Sequence, residues 1–424
     1  MRRSIDLLTS AWYGDSLLNL HFPAEWDIHI VGQTDQPALT DFGMREKVRN
    51  PSGTSRLSEL VKGKKRIAVL IDDIQRPTPV KRVVPLVLEE LKTGGIERDA
   101  IIFLMAVACH RPATEEDFIK KLGADTVKNI KTLSHDCTRD LTFLGKTERG
   151  TPIYVNKFVM ECDVKIGIGG LYPHESAGFG GGAKIIHPGI CGKETAWYLH
   201  SHLKRAPRGG AVDNEFRADM EEIAGKVGLD FMINLLLNRN RDASHIFCGH
   251  RVIAYQEAVK VAKEFYGVKP IDDADIIIAN AFPFDTSLHF LSKGLWPFNY
   301  GTKGSSKVVV ASCAEGLGYH ALSLSSLPGW SGFVQRTRAL SRHDIYRLFS
   351  RSEDRGPDFF LFSPNIKGSD LKRIYSRARL FKTWEGLMRE LTTRHQKLPV
   401  KVAVYQCAPL QVPYVQGPPP PQFR

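Results

Sequence analysis

The sequence predicts two α/β domains with mostly parallel sheets and an active site in the cleft between them. Continuous apolar runs at residues 66–72 and 275–280 are typical of strands buried in parallel sheets. A helical pattern over 79–93 follows the first run, as in a strand–helix unit. The chain has 424 residues, whereas a single core stops growing near about 250–300 residues. The length therefore favours more than one domain.

The domain boundary is placed near residue 268, where the strand–helix pattern restarts. The N-terminal α/β domain then spans residues 1–267, and the C-terminal α/β domain spans residues 268–416. Residues 417–424 read Gly-Pro-Pro-Pro-Pro-Gln-Phe-Arg, which predicts a loose polyproline tail.

Strand and helix patterns alternate in both domains. In the first domain, the remaining elements predicted are short strands within 16–31, a helix near 55–62, strands at 100–106, 163–168, 229–237 and 244–248, and a helix at 250–265. In the second domain, they are a helix near 287–296 and strands at 307–312, 358–362 and 400–405. Gly94 and Gly95 close the helix over 79–93, and Thr114 caps the helix that follows the strand at 100–106.

Composition excludes several classes of protein. Hydrophobic residues make up 42% of the chain and charged residues 25%, as in ordinary globular domains. No apolar run reaches the roughly 18–20 residues of a membrane span, and the N-terminus lacks a signal-peptide core. We therefore expect a cytoplasmic protein without a membrane partner. Seven scattered cysteines without a Cys-x-x-Cys pair favour neither a disulfide framework nor a zinc ribbon.

The net charge of +12 raises the question of a nucleic-acid partner. Much of the excess lies in residues 336–379, where acidic residues interleave with the arginines and lysines. No recognised nucleic-acid module is present, so this region is interpreted as a solvated basic surface rather than a nucleic-acid site. Polyanion binding there is kept as a minor alternative, which salt-dependent retention on nucleic acid would test.

Polar residues follow three of the predicted strands. The strand at 66–72 ends in a segment with Asp73 and Arg76, the strand at 100–106 precedes His110, and the strand at 163–168 leads into residues 172–202. Ligands bind beyond the carboxyl ends of the strands in open α/β sheets. The three segments are therefore expected to form one site.

The segment 172–202 is the richest in functional residue types. Its glycines allow the backbone to approach a phosphate or a planar ring closely. A lysine at the end of such a run binds an anion or forms a covalent link to a cofactor, and the histidines bind a metal or move protons. The alternative is a glycine-rich turn with a solvated lysine. The residues are Gly178, Gly180, Gly181, Gly182, Lys184, His174, His187 and His200.

With these motifs in view, the chain resembles the nickel-pincer lactate racemase family, most densely over residues 60–250. The family's Arg-Pro-x-Pro motif after an acidic residue is present at 73–79, and its Thr-His-Arg turn corresponds to Cys109-His110-Arg111. The block Pro-His-x-x-Ala-Gly-x-x-Gly-Gly-Ala-Lys corresponds to residues 173–184. The final block, Pro-Gly … Glu-Thr … His, lies within 188–200.

The resemblance implies a cofactor, nickel bound to a pyridinium-3,5-bisthiocarboxylic acid mononucleotide, the nickel-pincer nucleotide. Lys184 would hold it through a thioamide bond, His200 would ligate the nickel, and Asp73 would contact the cofactor or orient Arg76. His202 is the alternative nickel ligand, although the family spacing favours His200. The resemblance also implies transient contact with cofactor-synthesis enzymes. The glycines that it assigns to cofactor binding are Gly178, Gly180, Gly181 and Gly182.

The implied reaction inverts C2 of a small 2-hydroxy acid by reversible hydride transfer to the cofactor, through a 2-keto acid. His110 and His174 would act as bases on the two faces, and Arg76 would bind the substrate carboxylate. Lys293 would contact the substrate, but Phe290 replaces the family's glutamine. The substrate therefore stays open among lactate and larger acids with aromatic, dicarboxylic or polyol side chains.

Two other functions are considered. An NAD-linked 2-hydroxy acid dehydrogenase would need a Gly-x-Gly-x-x-Gly turn between a strand and a helix, and the glycines at 167–170 do not lead into a helix in that way. A protein that binds the pincer nucleotide without turnover would not need two bases, so the presence of both His110 and His174 favours an enzyme.

Overall fold

A computed structural model describes residues 3–206, 209–320 and 359–413. The polyproline tail at 417–424 and residues 336–358 of the basic region lie outside the described residues.

The strands are as follows. They are β1 (Arg3–Thr9), β2 (Ser16–Phe22), β3 (Asp27–Val31), β4 (Ile67–Asp72), β5 (Ile101–Ala106), β6 (Lys131–Ser134), β7 (Leu141–Lys146), β8 (Pro152–Asn156), β9 (Val164–Gly170), β10 (Pro173–His174), β11 (Gly178–Phe179), β12 (Phe231–Leu237), β13 (Ala243–Gly249), β14 (Gly267–Val268), β15 (Ile276–Asn280), β16 (Ser306–Val310), β17 (Phe359–Phe362), β18 (Arg379–Phe381), β19 (Lys401–Tyr405) and β20 (Val412–Pro413).

The helices of the described residues are of two kinds. The α-helices are α1 (Asp41–Arg49), α2 (Leu57–Leu60), α3 (Val84–Thr93), α4 (Glu115–Leu122), α5 (Ala124–Asn129), α6 (Lys157–Met160), α7 (Lys193–His202), α8 (Glu215–Val227), α9 (Arg251–Phe265), α10 (Gly368–Ile374) and α11 (Trp384–Arg394). The 3₁₀-helices are Val80–Arg82, Arg98–Ala100, Gly182–Ile185, Leu288–Gly294, Trp296–Asn299 and Ala408–Leu410.

The chain divides into two compact units. Residues Thr34–Phe265 form the central unit, and Met1–Gln33 together with Tyr266–Arg424 form the terminal unit. The sequence assigns residues 1–33 to the N-terminal domain, but in the structure β3 pairs along β19. This segment therefore belongs with the C-terminal part of the chain, a pairing between distant residues that no local pattern reports.

The central unit is built on a six-stranded sheet in the order β13-β12-β9-β4-β5-β6. All its pairs are parallel except β12 with β13. All six residues of β4 are buried, as its continuous apolar sequence predicts for a central strand. The chain passes from β4 to β5 and β6 on one side and later returns to β9 on the other. The sheet order thus reverses at β4, where a crevice opens beyond the strand ends.

Helices and loops cover this sheet and form its core. A large apolar cluster joins residues of β4, β5, β8 and β12 to residues of α7 and α8, including Leu70, Leu199, Phe216 and Met232. The start of α4 is held by a capping box, in which Thr114 accepts a hydrogen bond from the Asp117 backbone N–H and Asp117 accepts one from the Thr114 backbone N–H. This box fixes the start of α4, whose cap residue Thr114 lies four residues after His110.

The terminal unit has its own six-stranded sheet in the order β18-β17-β16-β15-β19-β3, and every pair is parallel. The predicted helix near 287–296 is instead two 3₁₀ segments, because Gly294 and Pro297 interrupt regular helical bonding. The predicted fold class, α/β with mostly parallel sheets, is confirmed. No helix of the described residues is long and apolar enough to cross a membrane.

Candidate active site

A pocket lies in the central unit at the carboxyl ends of β4, β5 and β9. Counted together with the open solvent at its mouth, the space within it is about 440 Å³. The three sequence segments that were expected to form one site all contribute to its walls. The lining residues are Asp72, Asp73, Arg76, Ala106, Ala108, His110, Gly169, Gly170, Tyr172, Gly181, Lys184, Ile185, Pro188, Gly189 and Met232.

His110 and Asp73 form a buried pair in this pocket. Nδ1 of His110 contacts a carboxylate oxygen of Asp73, and the two side chains are 7% and 4% exposed. A carboxylate accepts the Nδ1 proton, which places the lone pair of the neutral ring on Nε2. The His110 backbone N–H donates to the Val107 carbonyl at 2.9 Å, and the Ala108 N–H donates to the Gly189 carbonyl at 2.9 Å. Asp73 thus holds the ring of His110, and the two backbone hydrogen bonds hold the turn that carries it.

The surrounding charges set the protonation of this pair. Burial alone would raise the pKa of Asp73, but His110, Arg76 and Lys121 outweigh it and lower the pKa to about 2. Burial lowers the pKa of His110, Asp73 opposes that effect, and Arg76 and Lys184 add to it, so the net direction is downward. Asp73 is therefore ionised and His110 neutral near neutral pH, which is the state that a general base requires.

Arg76 lies beside the His110–Asp73 pair. Burial would lower the pKa of its guanidinium, but Tyr172 and the carboxylates of Asp73 and Asp72 raise it, so Arg76 keeps its charge. The Tyr172 side chain hydrogen-bonds Arg76. A fixed guanidinium in a pocket matches the geometry of a carboxylate.

Beneath the pocket is a network that the sequence analysis missed. The ammonium group of Lys121, which is fully buried, donates to the Asp72 carboxylate at 2.7 Å, the Arg76 carbonyl at 2.9 Å and the Thr78 carbonyl at 3.2 Å. Asp72 also accepts from the hydroxyl of Thr78 and, at 3.0 Å, from the Gly170 N–H. This network joins the ends of β4 and β9 to α4 and fixes the backbone of Arg76.

The glycine-rich loop is held by Arg217 and Asn234. Arg217 donates to the carbonyls of Phe179 at 2.5 Å, Gly181 at 3.3 Å and Gly180 at 3.4 Å. The Asn234 side-chain oxygen accepts from the Gly182 N–H at 2.8 Å. The loop is thus fixed from its protein side, and Lys184 follows it in a short 3₁₀-helix.

The predicted cofactor glycines have different surroundings. A Cβ at Gly178 would lie 2.2 Å from the Ala211 carbonyl oxygen, and one at Gly182 would lie 2.7 Å from the Tyr255 ring. A Cβ at Gly180 would lie 3.1 Å from the Tyr172 ring. Close packing against protein explains these three positions, and among the four only Gly181 lines the pocket.

Lys184 lines the pocket and is the residue there that suits a covalently tethered group. Four glycines line it as well, but a Cβ at Gly170 would lie 2.5 Å from the Thr78 hydroxyl and one at Gly189 would lie 2.0 Å from the Ile185 carbonyl oxygen. A Cβ at Gly181 would lie 2.7 Å from the Asn234 side-chain oxygen, so packing within the protein explains these three glycines. Within the described ranges, no group of three or more His, Cys, Asp or Glu side chains is arranged to hold a metal ion.

The histidines of residues 172–202 occupy distinct places. Nδ1 of His174 accepts from the backbone N–H groups of Ser176 and Ala177, both at 3.2 Å, so its neutral ring carries the proton on Nε2. The His200 ring packs edge-on to Phe216, with ring centres 5.2 Å apart. His202 is exposed and stacks on Tyr198 at 4.2 Å. Neither His174 nor His200 is among the lining residues of the pocket.

His187 and Lys293 were also considered from the sequence. His187 is fully buried, and neither ring nitrogen has a hydrogen-bond partner among the described residues. Burial and then Lys184 lower its pKa to about 3, so it is neutral. Lys293 lies in the terminal unit, in the 3₁₀-helix Leu288–Gly294, with its ammonium group 5.6 Å from the centre of the Phe284 ring. Its contact with substrate stays a prediction, as does the cleft between the two domains.

The glycines at 167–170 bear on the dehydrogenase alternative. Gly167, Gly169 and Gly170 all lie inside β9, whereas a dinucleotide-binding turn lies between a strand and a helix. A Cβ at Gly167 would lie 2.6 Å from the Met232 sulfur, so packing between neighbouring strands explains this glycine.

Two of the residues that were missed had a sequence signature. Lys121 lies three residues after Phe118 and four after Asp117, so all three share the buried face of α4. Tyr172 directly precedes the Pro-His motif. Arg217 and Asn234 lie far along the chain from the loop that they bind, and no local pattern marks them.

Comparisons with known proteins agree with this architecture. Residues 13–210 match the family described as the lactate racemase N-terminal domain. A lactate racemase from Lactiplantibacillus plantarum is 31% identical over 294 residues, which are 66% of this chain and 69% of that protein. A lactate racemase from Thermoanaerobacterium thermosaccharolyticum is 30% identical over 286 residues, which are 65% of this chain and 66% of that protein.

Two solved structures share the fold. The lactate racemase apoprotein from Thermoanaerobacterium thermosaccharolyticum matches with a TM-score of 0.72 and 22% identity, over 97% of this chain and 100% of that one. A protein from Thermotoga maritima matches with a TM-score of 0.64 and 17% identity, over 89% of this chain and 99% of that one. At these identities the structural likeness concerns the fold. The 31% sequence identity to the Lactiplantibacillus plantarum protein shows that the chain belongs to the lactate racemase family, a family of isomerases.

Proposed function

We propose that the protein is a racemase or epimerase that inverts the C2 carbinol carbon of a 2-hydroxy acid. The observation that carries this proposal is the convergence of His110, Asp73, Arg76 and Lys184 on one pocket. They provide a base, a carboxylate that orients it, a cation for a carboxylate substrate, and an amine for a covalent cofactor. The names of the two relatives favour lactate as one member of the substrate class.

Lys184 would hold the nickel-pincer nucleotide, and His200 would be the protein ligand of its nickel. The place of Lys184 on the pocket wall supports the covalent tether, whereas the role of His200 rests on the family resemblance. The chemistry that the cofactor supplies when bound is reversible hydride acceptance from a carbon atom.

The residues of the chain bind the substrate and move its hydroxyl proton. Arg76 binds the carboxylate, in an orientation that its contact with Tyr172 fixes. His110 takes the hydroxyl proton at Nε2, because Asp73 holds Nδ1 and the lowered pKa keeps the ring neutral. His174 is proposed as the acid–base group for the opposite face, with Nδ1 held by two backbone N–H groups and the proton of the neutral ring on Nε2.

Co-expression with the cofactor-synthesis genes tests the cofactor assignment. Intact-protein mass spectra and metal analysis of the wild-type protein should show an adduct of the mass of the pincer nucleotide together with nickel. The Lys184→Ala variant should show neither. If Lys184 stays unmodified and nickel-free in a host that is proven to make the cofactor, the proposal is wrong.

A panel of single-enantiomer 2-hydroxy acids then defines the substrate. Lactate, an aromatic acid, a dicarboxylic acid and a sugar acid sample the side chains that Phe290 leaves open. Chiral chromatography of each reaction with the loaded wild-type protein should show inversion of at least one acid, and loaded Arg76→Ala should lose most of that activity. An absence of inversion across the panel by verified holoprotein would contradict the proposal.

A further inference from the structure

Two cysteines that the proposed reaction does not use lie at the same edge of the central sheet. Cys109 follows β5 and Cys137 follows β6, and these strands are parallel neighbours in which Met105 pairs with Ser134. The His135 backbone N–H also donates to the Met105 carbonyl at 3.1 Å, which extends the pairing beyond β6. The loops after the two strands are therefore adjacent.

The two thiols are in contact. Cys109 and Cys137 are 1% and 8% exposed, neither is in a disulfide, and their side chains hydrogen-bond each other. The bond from Cys109 is the largest influence on Cys137 and lowers its pKa, while burial opposes that effect. Because the thiolate is the nucleophile, this lowered pKa favours attack by Cys137. Burial raises the pKa of Cys162, which has a similar exposure of 6% but no such partner thiol.

Each cysteine is joined to a part of the site. Cys109 directly precedes His110 in a turn where Ala108 has φ +53° and donates to the Gly189 carbonyl. The Cys137 carbonyl accepts from the Lys193 N–H at 2.8 Å, at the first residue of α7. That helix carries His200. A change in the distance between the two sulfurs would therefore be transmitted to the turn that carries His110.

We propose that Cys109 and Cys137 form a reversible intramolecular disulfide in response to a peroxide, and that this bond reorganises the turn that carries His110. The Cys137 thiolate attacks the peroxide O–O bond, which gives a sulfenic acid and releases water or an alcohol. The Cys109 sulfur then displaces the hydroxyl group, which leaves as a second molecule of water. The two thiols are oxidised and the peroxide is reduced. We also expect the oxidised enzyme to lose its activity, and this expectation rests on the proposed function.

The test uses full-length reduced protein, treated with hydrogen peroxide and then with dithiothreitol. After peroxide, intact mass should fall by about 2 Da and non-reducing peptide maps should link Cys109 to Cys137. Dithiothreitol should reverse both changes. Hydrogen exchange of peptides covering residues 106–112 should be faster in the oxidised protein. Cys162→Ser should still form the link, whereas Cys109→Ser and Cys137→Ser should not.

Other outcomes would overturn the inference. They are the absence of a linked peptide, oxidation of Cys137 to sulfinic acid without a link in the wild-type protein, and a link without a change in exchange at residues 106–112. The mass and exchange measurements need no cofactor, so they are independent of the proposed function. If the link forms and exchange changes but the reduced holoprotein racemises nothing, the proposed function is wrong and the disulfide is retained.

Discussion

At the residue scale, the decisive feature is the charge state of His110 and Asp73. The pKa of Asp73 is about 2, and that of His110 lies below its usual value of 6.5. The pair therefore consists of an anion and a neutral imidazole over the physiological range. A base of this kind is active at neutral pH without first losing a proton.

The pH dependence of activity follows from these shifts. Activity should be lost as pH falls through the pKa of His110, so the acid limb of kcat/KM should lie below about pH 6.5. Because Asp73 raises the pKa of His110, Asp73→Asn should move this limb to still lower pH. It should also reduce kcat by roughly 10²–10⁴-fold, since the ring loses its orientation. Asp125→Asn, on the exposed face of α5, is the control. If the acid limb of Asp73→Asn lay at the same pH as that of the wild type, a group other than His110 would be responsible for it.

His187 gives a prediction about stability. Its pKa is about 3 when folded, against 6.5 in the unfolded chain, so the unfolded state takes up the proton first as pH falls. The neutral ring therefore supports the fold above about pH 6.5, and this contribution declines towards pH 3. His187→Leu should remove this dependence. When the pH is lowered from about 7 to about 5, the free energy of unfolding of His187→Leu should fall by roughly 1–2 kcal/mol less than that of the wild type. Urea unfolding at both pH values measures the difference, and equal declines would contradict it.

At the element scale, α4 supports the end of β4 that lines the pocket. Lys121 on this helix binds Asp72 and the carbonyls of Arg76 and Thr78, and Asp72 in turn binds Gly170 at the end of β9. Burial lowers the pKa of Lys121, and Asp72 opposes that effect. A buried ion pair of this kind costs desolvation but becomes strongly destabilising when one partner is removed.

Lys121→Met should therefore lower the free energy of unfolding by about 3–5 kcal/mol, because it leaves Asp72 buried without its cation. Lys120→Met is a matched control on the same helix, where the partner is the exposed Glu116. Its cost should stay below about 1 kcal/mol. Urea unfolding of both variants measures the contrast. Similar losses in the two variants would mean that the network contributes little.

The glycine-rich loop gives a second prediction at this scale. Gly178 has φ +76°, and a Cβ there would lie 2.2 Å from the Ala211 carbonyl oxygen. Gly63 has φ +73° and open space around its Cβ position. Gly63→Ala should cost about 1–2 kcal/mol through backbone strain alone. Gly178→Ala should cost more and weaken cofactor attachment at Lys184. Equal losses in unfolding free energy would show that packing at Ala211 is not limiting.

At the scale of the whole molecule, much of the architecture was predictable because it is local. The apolar runs of β4, β5 and β15 indicated parallel strands, and the residues after β4, β5 and β9 do share one pocket. Pairings between distant segments were not predictable. The pairing of β3 with β19, and the contacts of Arg217 with the glycine-rich loop, depend on tertiary packing that no sequence period reports.

The residues of the site also divide into those that local motifs predict and those that only the folded chain reveals. The motifs identified Asp73, Arg76, His110 and Lys184, and the structure brings these four together. They did not identify Lys121 or Tyr172, because a lysine on a charged helix and a tyrosine beside a motif have ordinary surface or core roles. Burial and contact, which are properties of the folded chain, distinguish them.

The most direct test of the account follows the hydrogen at C2. Holoprotein whose Lys184 adduct and nickel have been verified is incubated in ordinary water with one enantiomer of a 2-hydroxy acid that carries deuterium at C2. Chiral separation and mass spectrometry then read configuration and label together. We expect the two enantiomers to approach equal amounts, with the deuterium retained in the inverted product. Inversion with loss of the label to solvent would show proton abstraction from carbon, and would contradict hydride transfer in this pocket.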